Sequence, residues 1–248
     1  MKSFHDNIII IAHRGASAYA PENTLPAFEK AVELGADAIE LDVQLTKDKH
    51  VVVFHDYHLE RTSNGTGFLL RHNLKKLQRL DAGRWFSKEF KGEPIPTLEE
   101  VLARLSDRIL FNIELKKMPF ANEMVDRVLQ LIEAYGIQDR CLLSSFDPIA
   151  IEYARVENPH IPTGLLFDKR RDDIWRGAWP FVLPSAKLAT NDLIAEAQRH
   201  DKALGTWTVN EPKEMQRLLH QGIGRIITDV PDKLQKLTTF HRKKLDSK

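Results

Sequence analysis

Short groups of ionisable and aromatic residues follow apolar runs at several points of the chain. They are His13-Arg14, Glu40-Leu41-Asp42, His55-Asp56, Glu114-Leu115-Lys116 and Trp207-Thr208-Val209-Asn210. In a barrel of parallel strands, the residues just past the carboxyl ends of the strands meet at one mouth. The carboxylates of Glu40, Asp42 and Glu114 would collect there with two imidazoles and two cations. Such a set suits a hard metal ion that holds a phosphate while acid–base groups break a P–O bond.

The acidic residues are the candidates for metal ligands. Glu40 and Asp42 are two positions apart on a predicted strand, so their side chains point to the same side. Two adjacent carboxylates repel each other unless a positive charge lies between them. Glu114, at the end of a neighbouring strand, would complete an oxygen site for Mg²⁺ or Ca²⁺ rather than zinc. The alternative is a structural charge network with Arg14 and Lys116; the three acids together favour the metal.

The remaining polar residues suit acid–base chemistry and phosphate binding. His13 and His55 are candidates for the general acid and base because imidazole titrates near neutral pH. Alternatively, each is a rim histidine with a structural hydrogen bond. Arg14 and Lys116 could bind phosphate oxygens or only neutralise the acids. Trp207 could form an apolar wall for an alcohol group or be a packed aromatic residue.

Strand-like runs alternate with helix-like runs along the chain. Pro26 lies in the first turn of a helix that opens at Asn23-Thr24, Thr97 and Glu100 form a capping box, and Asn210 is predicted to cap a late helix. Residues 20–24 could either cap that first helix or contact the site. Eight strands are enough to close a TIM (β/α)8 barrel, the predicted α/β fold. They are predicted at 8–12, 38–43, 109–115, 141–145, 163–167, 181–184, 203–209 and 225–228.

Two segments break this rhythm. Residues 43–54 are too few for a parallel crossover, so residues 44–50 are predicted to form a hairpin turn that returns His55 to the mouth beside Asp42. Residues 57–94 are too long for an ordinary connection and are predicted to form a small insertion that covers part of the mouth. The whole chain, 1–248, then forms a single barrel domain with that insertion.

The bulk composition excludes some classes of partner. The chain has 36 Lys and Arg residues against 35 Asp and Glu residues, so no net field exists to hold a nucleic acid. The apolar run at 8–12 is too short for a signal peptide or a membrane anchor. A single cysteine, Cys141, fits a cytoplasmic protein. Whether the chain is a monomer or a homodimer stays open.

The motifs together resemble the glycerophosphodiester phosphodiesterase family. The matching segments run in family order over about residues 8–232, and their combination is specific although no single one is. They are Ala12-His13-Arg14-Gly15, Pro21-Glu22-Asn23-Thr24, Ile39-Glu40-Leu41-Asp42-Val43, Val53-Phe54-His55-Asp56, Leu59-Glu60-Arg61-Thr62, Asp81-Ala82-Gly83, Ile113-Glu114-Leu115-Lys116, Ser144-Ser145-Phe146, Trp207-Thr208-Val209-Asn210 and Ile226-Ile227-Thr228-Asp229. The match fades over residues 168–190.

The resemblance implies a barrel with one divalent cation, Mg²⁺ or Ca²⁺, held by Glu40, Asp42 and Glu114. It also implies that His13 and His55 are the general acid–base pair, with Arg14 and Lys116 at the phosphate. The insertion would be the family's capping element, which favours a small glycerol head group.

The expected reaction is hydrolysis of small-molecule glycerophosphodiesters, such as glycerophosphocholine or glycerophosphoethanolamine, to glycerol 3-phosphate and an alcohol. The nucleophile is either a neighbouring glycerol hydroxyl or water. The alternatives are a lysophospholipase D-type enzyme, a phospholipase-C-like enzyme that cleaves the other P–O bond, and a non-catalytic phosphate-binding barrel.

Overall fold

The computed structural model describes residues 2–171 and 173–245, and most of its strands are buried along their whole length. The strands are β1 Ile9–Ala12, β2 Ala38–Leu45, β3 Val51–Val53, β4 Leu110–Leu115, β5 Cys141–Ser145, β6 Thr163–Phe167, β7 Phe181–Pro184, β8 Ala203–Thr206 and β9 Arg225–Thr228. Within these residues, eight parallel strands form a closed barrel, because β1 pairs with both β2 and β9. The predicted TIM barrel is therefore confirmed.

Helices cover the outside of the barrel between the strands, except for α2, which lies in the insertion. They are α1 Leu25–Glu33, α2 Leu74–Leu77, α3 Leu98–Leu105, α4 Ala121–Ala134, α5 Pro148–Glu157, α6 Asn191–Arg199, α7 Pro212–His220 and α8 Pro231–Leu245. Apolar side chains of α1, α3 and α4 pack on β2 and β4, and those of α7 and α8 pack on β1 and β9. Among the described residues, no helix is both long and apolar enough to cross a membrane.

The barrel interior changes from apolar at one end to polar at the other. Ile9, Ile11, Leu110, Leu142 and Phe181 belong to one buried hydrophobic cluster. Strand side chains alternate between the two faces, so every second residue stays on the interior face. Toward the carboxyl ends of the strands, the residues on this interior face are therefore polar instead of isoleucine or leucine. The barrel interior is thus apolar at the amino-terminal end of the strands and polar at the carboxyl-terminal end.

The short strand β3 is the returning arm of a hairpin and lies outside the barrel. It pairs antiparallel with β2, with Val43 opposite Val53 and Leu45 opposite Val51. The hairpin predicted over residues 44–50 is confirmed. It brings the chain back to the barrel mouth, where His55 follows β3.

Residues 57–94 carry little regular structure. They contain α2 and two short 3₁₀ helices, at Leu69–Arg71 and Lys88–Phe90. Leu59, Leu69 and Leu77 are fully buried in a small hydrophobic cluster that also includes Val52 of β3. The insertion therefore has its own apolar contacts, and these attach it to the hairpin beside the mouth.

The helix starts agree with most of the capping signals. The Thr97 hydroxyl accepts the backbone N–H of Glu100, whose carboxylate accepts the N–H of Thr97, as the capping box predicts. The prediction that Asn210 caps a helix is wrong: α7 follows Glu211, and the side chain of Asn210 binds Asp229 instead. The strand predicted at 203–209 ends earlier, at Thr206.

Candidate active site at the carboxyl end of the barrel

The three acidic residues lie side by side because of the register between β2 and β4. Asp42 is paired with Glu114, and Glu40 is paired with Asn112. Oxygen atoms from Glu40, Asp42 and Glu114 all lie within 4.8 Å of one another, and all three residues are buried. The structure therefore brings together the three residues that the sequence singles out as metal ligands.

The electrostatics of this cluster favour a cation. Burial raises the pKa of Glu40 well above its usual value, and the charges of Asp42 and Glu114 raise it further. Burial and the Asp42 charge also raise the pKa of Glu114. Burial acts the same way on Asp42, but the charges of Lys116 and Arg14 outweigh it and lower its pKa to about 2. Carboxylate oxygens are ligands for hard cations such as Mg²⁺ and Ca²⁺, so the donor set fits such an ion.

Lys116 and Arg14 lie against the acids. The Lys116 ammonium is 2.9 Å from Glu114 Oε1 and 3.3 Å from Asp42 Oδ1. Arg14 donates its backbone N–H to Glu40 Oε2 at 2.8 Å, and its Nε lies 3.4 Å from Asp42 Oδ2. The charge network of Arg14 and Lys116 with the three acids, the alternative to a metal site, is thus present in the structure. These two cations still leave one of the three carboxylate charges without a balancing positive charge.

The loop after β1 aims these groups through unusual backbone conformations. Arg14 has φ 55° and Gly15 has φ 82°, both in the left-handed region. A Cβ on Gly15 would lie 2.6 Å from the carbonyl carbon of Ala27, so only glycine fits against α1 here. This tight turn directs the Arg14 amide at Glu40.

Each candidate catalytic histidine has one ring nitrogen bound to a carboxylate. Nδ1 of His13 donates to Asp229 Oδ1 at 2.7 Å, and Nδ1 of His55 donates to Asp56 Oδ1 at 2.5 Å. In this tautomer, Nε2 of each ring is left to accept a proton. Burial lowers the pKa of His55, which favours the neutral form that a general base needs.

Six of the eight candidate residues line one cavity of about 210 Å³; Asp42 and Lys116 do not line it. Its polar lining comes from His13, Arg14, Glu40, His55, Asn112, Glu114 and Ser144, and its apolar lining from Phe146, Leu166, Trp207 and Ile227. Trp207 is held by a 2.8 Å hydrogen bond from its indole N–H to Leu183 O and by an edge contact with Phe146, 5.4 Å between ring centroids. Its ring is therefore both packed and part of the cavity wall.

Asp229 binds one of the candidate histidines, although the sequence alone assigns it no role. Asp229 accepts hydrogen bonds from His13, from Ser17 Oγ at 2.9 Å and from Asn210 Nδ2 at 2.5 Å. A signal for it exists: Asp229 directly follows β9, just as His13 directly follows β1. Asn23 donates to Asp42 Oδ2 at 2.8 Å, so segment 20–24 contacts the site.

The chain also matches known proteins along most of its length. Residues 13–233 match the Glycerophosphoryl diester phosphodiesterase family. The chain belongs to this family. A glycerophosphodiester phosphodiesterase of Caldanaerobacter subterraneus subsp. tengcongensis is 38% identical over 232 residues, which cover 91% of this chain and 96% of that relative. One from Bacillus subtilis is 31% identical, covering 94% of this chain and 87% of its own length.

Solved structures agree with the fold. A phosphodiesterase of Oleispira antarctica, in complex with the product sn-glycerol-3-phosphate, has a TM-score of 0.87 and 29% identity, covering 91% of this chain and 94% of its own. A glycerophosphodiester phosphodiesterase of Agrobacterium tumefaciens has a TM-score of 0.79 and 26% identity, covering 92% and 98%. The barrel fold is therefore shared over nearly the whole length of both chains.

Proposed function

We propose that this chain hydrolyses glycerophosphodiesters, such as glycerophosphocholine or glycerophosphoethanolamine, to glycerol 3-phosphate and an alcohol. One observation carries the proposal: two imidazoles, each oriented by a carboxylate, line the same cavity as Glu40 and Glu114, two members of a buried three-carboxylate cluster. The product named in the Oleispira antarctica structure, sn-glycerol-3-phosphate, supports this choice of substrate.

Glu40, Asp42 and Glu114 would hold one divalent cation, Mg²⁺ or Ca²⁺. The excess negative charge and the raised pKa values of Glu40 and Glu114 support this assignment, because the cluster is costly to ionise without a further positive charge. When bound, the cation would supply positive charge beside the phosphoryl oxygens.

Arg14 and Lys116 would bind the phosphate from the side of the acids. Arg14 presents a planar guanidinium and Lys116 a compact ammonium, and both are mostly buried beside Asp42. Their fixed positive charges stabilise the negative charge that grows on the phosphoryl oxygens during P–O cleavage. The phosphate would displace part of their contact with the carboxylates.

His13 and His55 would carry the proton transfers. Nε2 of one ring takes the proton from the attacking hydroxyl, which is a neighbouring glycerol hydroxyl or a water molecule. The other ring, already protonated at Nε2, gives that proton to the oxygen of the departing alcohol. The first ring then carries the extra proton, and the starting state returns when the rings exchange protons with solvent or, after a cyclic phosphate, reverse their roles as water opens it. Each such step typically contributes about 10²–10⁴-fold to the rate. Asp229 and Asp56 keep the tautomer fixed and stabilise each imidazolium when it forms.

Trp207 and Phe146 would form the apolar side of the substrate pocket. Both line the cavity and contact each other, so together they form an apolar wall of the cavity. A pocket of about 210 Å³ suits a small polar head group.

A second substrate class is favoured by exposed apolar residues at the same end of the barrel. Phe120, Phe146 and Ile149 follow β4 and β5 and are 53%, 38% and 70% exposed. These side chains could lie along an acyl chain, so lysophospholipids are the second candidate substrates.

The compartment proposed for this activity is the cytoplasm. Cys141 is a free and fully buried thiol, which suits a reducing environment.

Kinetics of His13→Ala and His55→Ala test the proposed roles. Both variants should lose at least about 10²-fold in kcat on glycerophosphocholine, measured by enzymatic detection of glycerol 3-phosphate. His160→Ala, which removes an exposed ring far along the chain from these motifs, is the matched control and should keep the wild-type rate. A rate near wild type in either active-site variant would refute the acid–base assignment. Turnover of lysophosphatidylcholine in place of glycerophosphocholine would favour the second substrate class.

A further inference from the structure

Arg61 is an insertion residue whose guanidinium links two segments beside the barrel mouth. Its Nε donates to Asp56 Oδ2 at 2.6 Å and its Nη2 donates to Asp56 Oδ1 at 2.9 Å. On the other side, its Nη1 and Nη2 donate to the two carboxylate oxygens of Glu22, each at 2.8 Å. One side chain therefore holds two carboxylates, one from the end of the hairpin and one from the loop before α1.

Those two carboxylates are the partners of two groups in the proposed mechanism. Asp56 Oδ1 accepts the N–H of His55, the proposed acid or base. Glu22 Oε1 accepts from Nη1 of Arg14 at 2.7 Å, and Arg14 is the proposed phosphate ligand. Arg61 is thus one hydrogen-bonded residue away from each, although its side chain does not line the cavity.

We propose that Arg61 is a positioning residue through which the capping insertion holds His55 and Arg14 in their working orientations at the same time. The inference rests on the proposed function, since it takes the roles of His55 and Arg14 from there. Its consequence is that catalytic competence depends on the insertion being seated on the mouth.

The geometry requires an arginine at this position. The four contacts use Nε, Nη1 and Nη2 of one rigid planar group, which grips two carboxylates on different edges. A lysine has a single ammonium and cannot make bidentate contacts with two carboxylates in fixed planes. Arg61→Lys should therefore resemble Arg61→Ala rather than the wild type.

The charges around Arg61 agree with this role. Its hydrogen bond lowers the pKa of Asp56 below the usual range. Burial raises the pKa of Glu22, but the hydrogen bond from Arg61 and the charge of Arg14 outweigh it. Both carboxylates therefore stay ionised and remain strong acceptors for His55 and Arg14.

Arg61 is also 45% exposed along its side chain, so its loss leaves no cavity in the hydrophobic core. The barrel is expected to stay folded when the side chain is shortened. A change in turnover can then be separated from a change in stability.

The test compares Arg61→Ala and Arg61→Lys with the wild type on glycerophosphocholine at saturating Mg²⁺. We expect kcat to fall roughly 10²-fold in both variants, because displacing reacting groups by about 1 Å costs that much. Millimolar guanidinium should restore part of the kcat of Arg61→Ala, since the free ion can occupy the place between Asp56 and Glu22. The melting temperature should stay near that of the wild type.

Two control variants remove other exposed arginines. Arg84, in the same insertion, donates its backbone N–H to Asp81, and Arg104 makes an ion pair with Glu29 outside the site. Arg84→Ala and Arg104→Ala should keep the wild-type kcat and should show no response to guanidinium.

The outcomes separate this inference from the proposed function. A wild-type kcat in Arg61→Ala or Arg61→Lys, with His55→Ala inactive, would overturn the positioning role and leave the proposed function standing. A fall in kcat that is not rescued by guanidinium and follows a large fall in melting temperature would assign Arg61 to stability alone and also overturn it. An active His55→Ala enzyme would contradict the proposed function itself.

Discussion

Replacing Glu40 by glutamine should stabilise the metal-free protein. Glu40 is buried with Asp42 and Glu114, and carboxylate oxygens of the three lie within 4.8 Å. At an effective dielectric constant of 20, two unit charges at that distance repel by about 3 kcal/mol. Arg14 and Lys116 offset part of this, so we expect a gain of about 1–2 kcal/mol. For a domain of this size that gain is about 2–8 °C in melting temperature.

The pH dependence of this gain follows from the direction of the Glu40 pKa. The pKa is raised in the folded state, so Glu40 does not penalise folding below its unfolded pKa. Above that pKa, the free-energy cost that Glu40 adds to folding grows, and it reaches its full size once the pH has passed the folded pKa. Glu40→Gln removes it, so the advantage of the variant should be small near pH 4.5 and largest near pH 8. Glutamine can still accept the backbone N–H of Arg14, which leaves the turn intact.

With metal bound, the wild type should be more stable than Glu40→Gln, which reverses the order expected for the metal-free proteins. A ligand at about 100 times its Kd stabilises a protein by about 2.7 kcal/mol, which here is about 5–10 °C. The wild type should show that shift with Mg²⁺ or Ca²⁺, and Glu40→Gln should lose most of it along with activity. The assay is differential scanning fluorimetry in chelator and in excess metal at several pH values. The control is Glu133→Gln, an exposed residue of α4.

Two results would refute this reasoning. One is a Glu40→Gln protein that is less stable than the wild type in chelator at pH 8, because the acids would then not repel each other. The other is an unchanged metal-induced shift, because Glu40 would then not be a ligand.

Two further predictions concern the residues that support the site. Asp229→Asn should lower kcat by roughly 10–100-fold, because it removes the charge that orients His13. The control Asp232→Asn alters a hydrogen bond to Tyr19 and should leave kcat unchanged. Steady-state kinetics of both variants test this prediction. Gly15→Ala should cost about 1–3 kcal/mol more than Gly136→Ala in urea unfolding, because both glycines have positive φ but only a Cβ on Gly15 meets the backbone of Ala27. Equal effects of Asp229→Asn and Asp232→Asn on kcat would contradict the role of Asp229 in orienting His13. Equal effects of Gly15→Ala and Gly136→Ala on stability would contradict the contact expected between a Cβ at Gly15 and Ala27.

The barrel could be predicted because its signals are local. Each strand is a short apolar run, and the hairpin follows from a length argument about residues 43–54. The carboxylate cluster could be predicted for a similar reason: Glu40 and Asp42 share a face, and Glu114 ends a strand. The strand that ends in Glu114 is also expected to neighbour that of Glu40 and Asp42, because the two are consecutive barrel strands, and β2 does pair with β4.

The partners of the site residues could not be predicted in the same way. Asn210 precedes a helix and has the chemistry of a cap, but its amide binds Asp229, a residue brought near by the pairing of β8 with β9. Arg61 stands in a motif of the family, yet its contacts join the insertion to Glu22 and Asp56. Such choices depend on where distant segments meet in space, and periodicity along the chain carries no information about them.

The most direct test of the central claim is phosphorus NMR of glycerophosphocholine incubated with the purified protein. One sample contains Mg²⁺ or Ca²⁺, and the parallel sample contains a chelator. We expect the diester signal to be replaced by that of glycerol 3-phosphate only when metal is present. Phosphocholine as the product would contradict the bond assignment, and cleavage that continues in the chelator would contradict the role given to Glu40, Asp42 and Glu114.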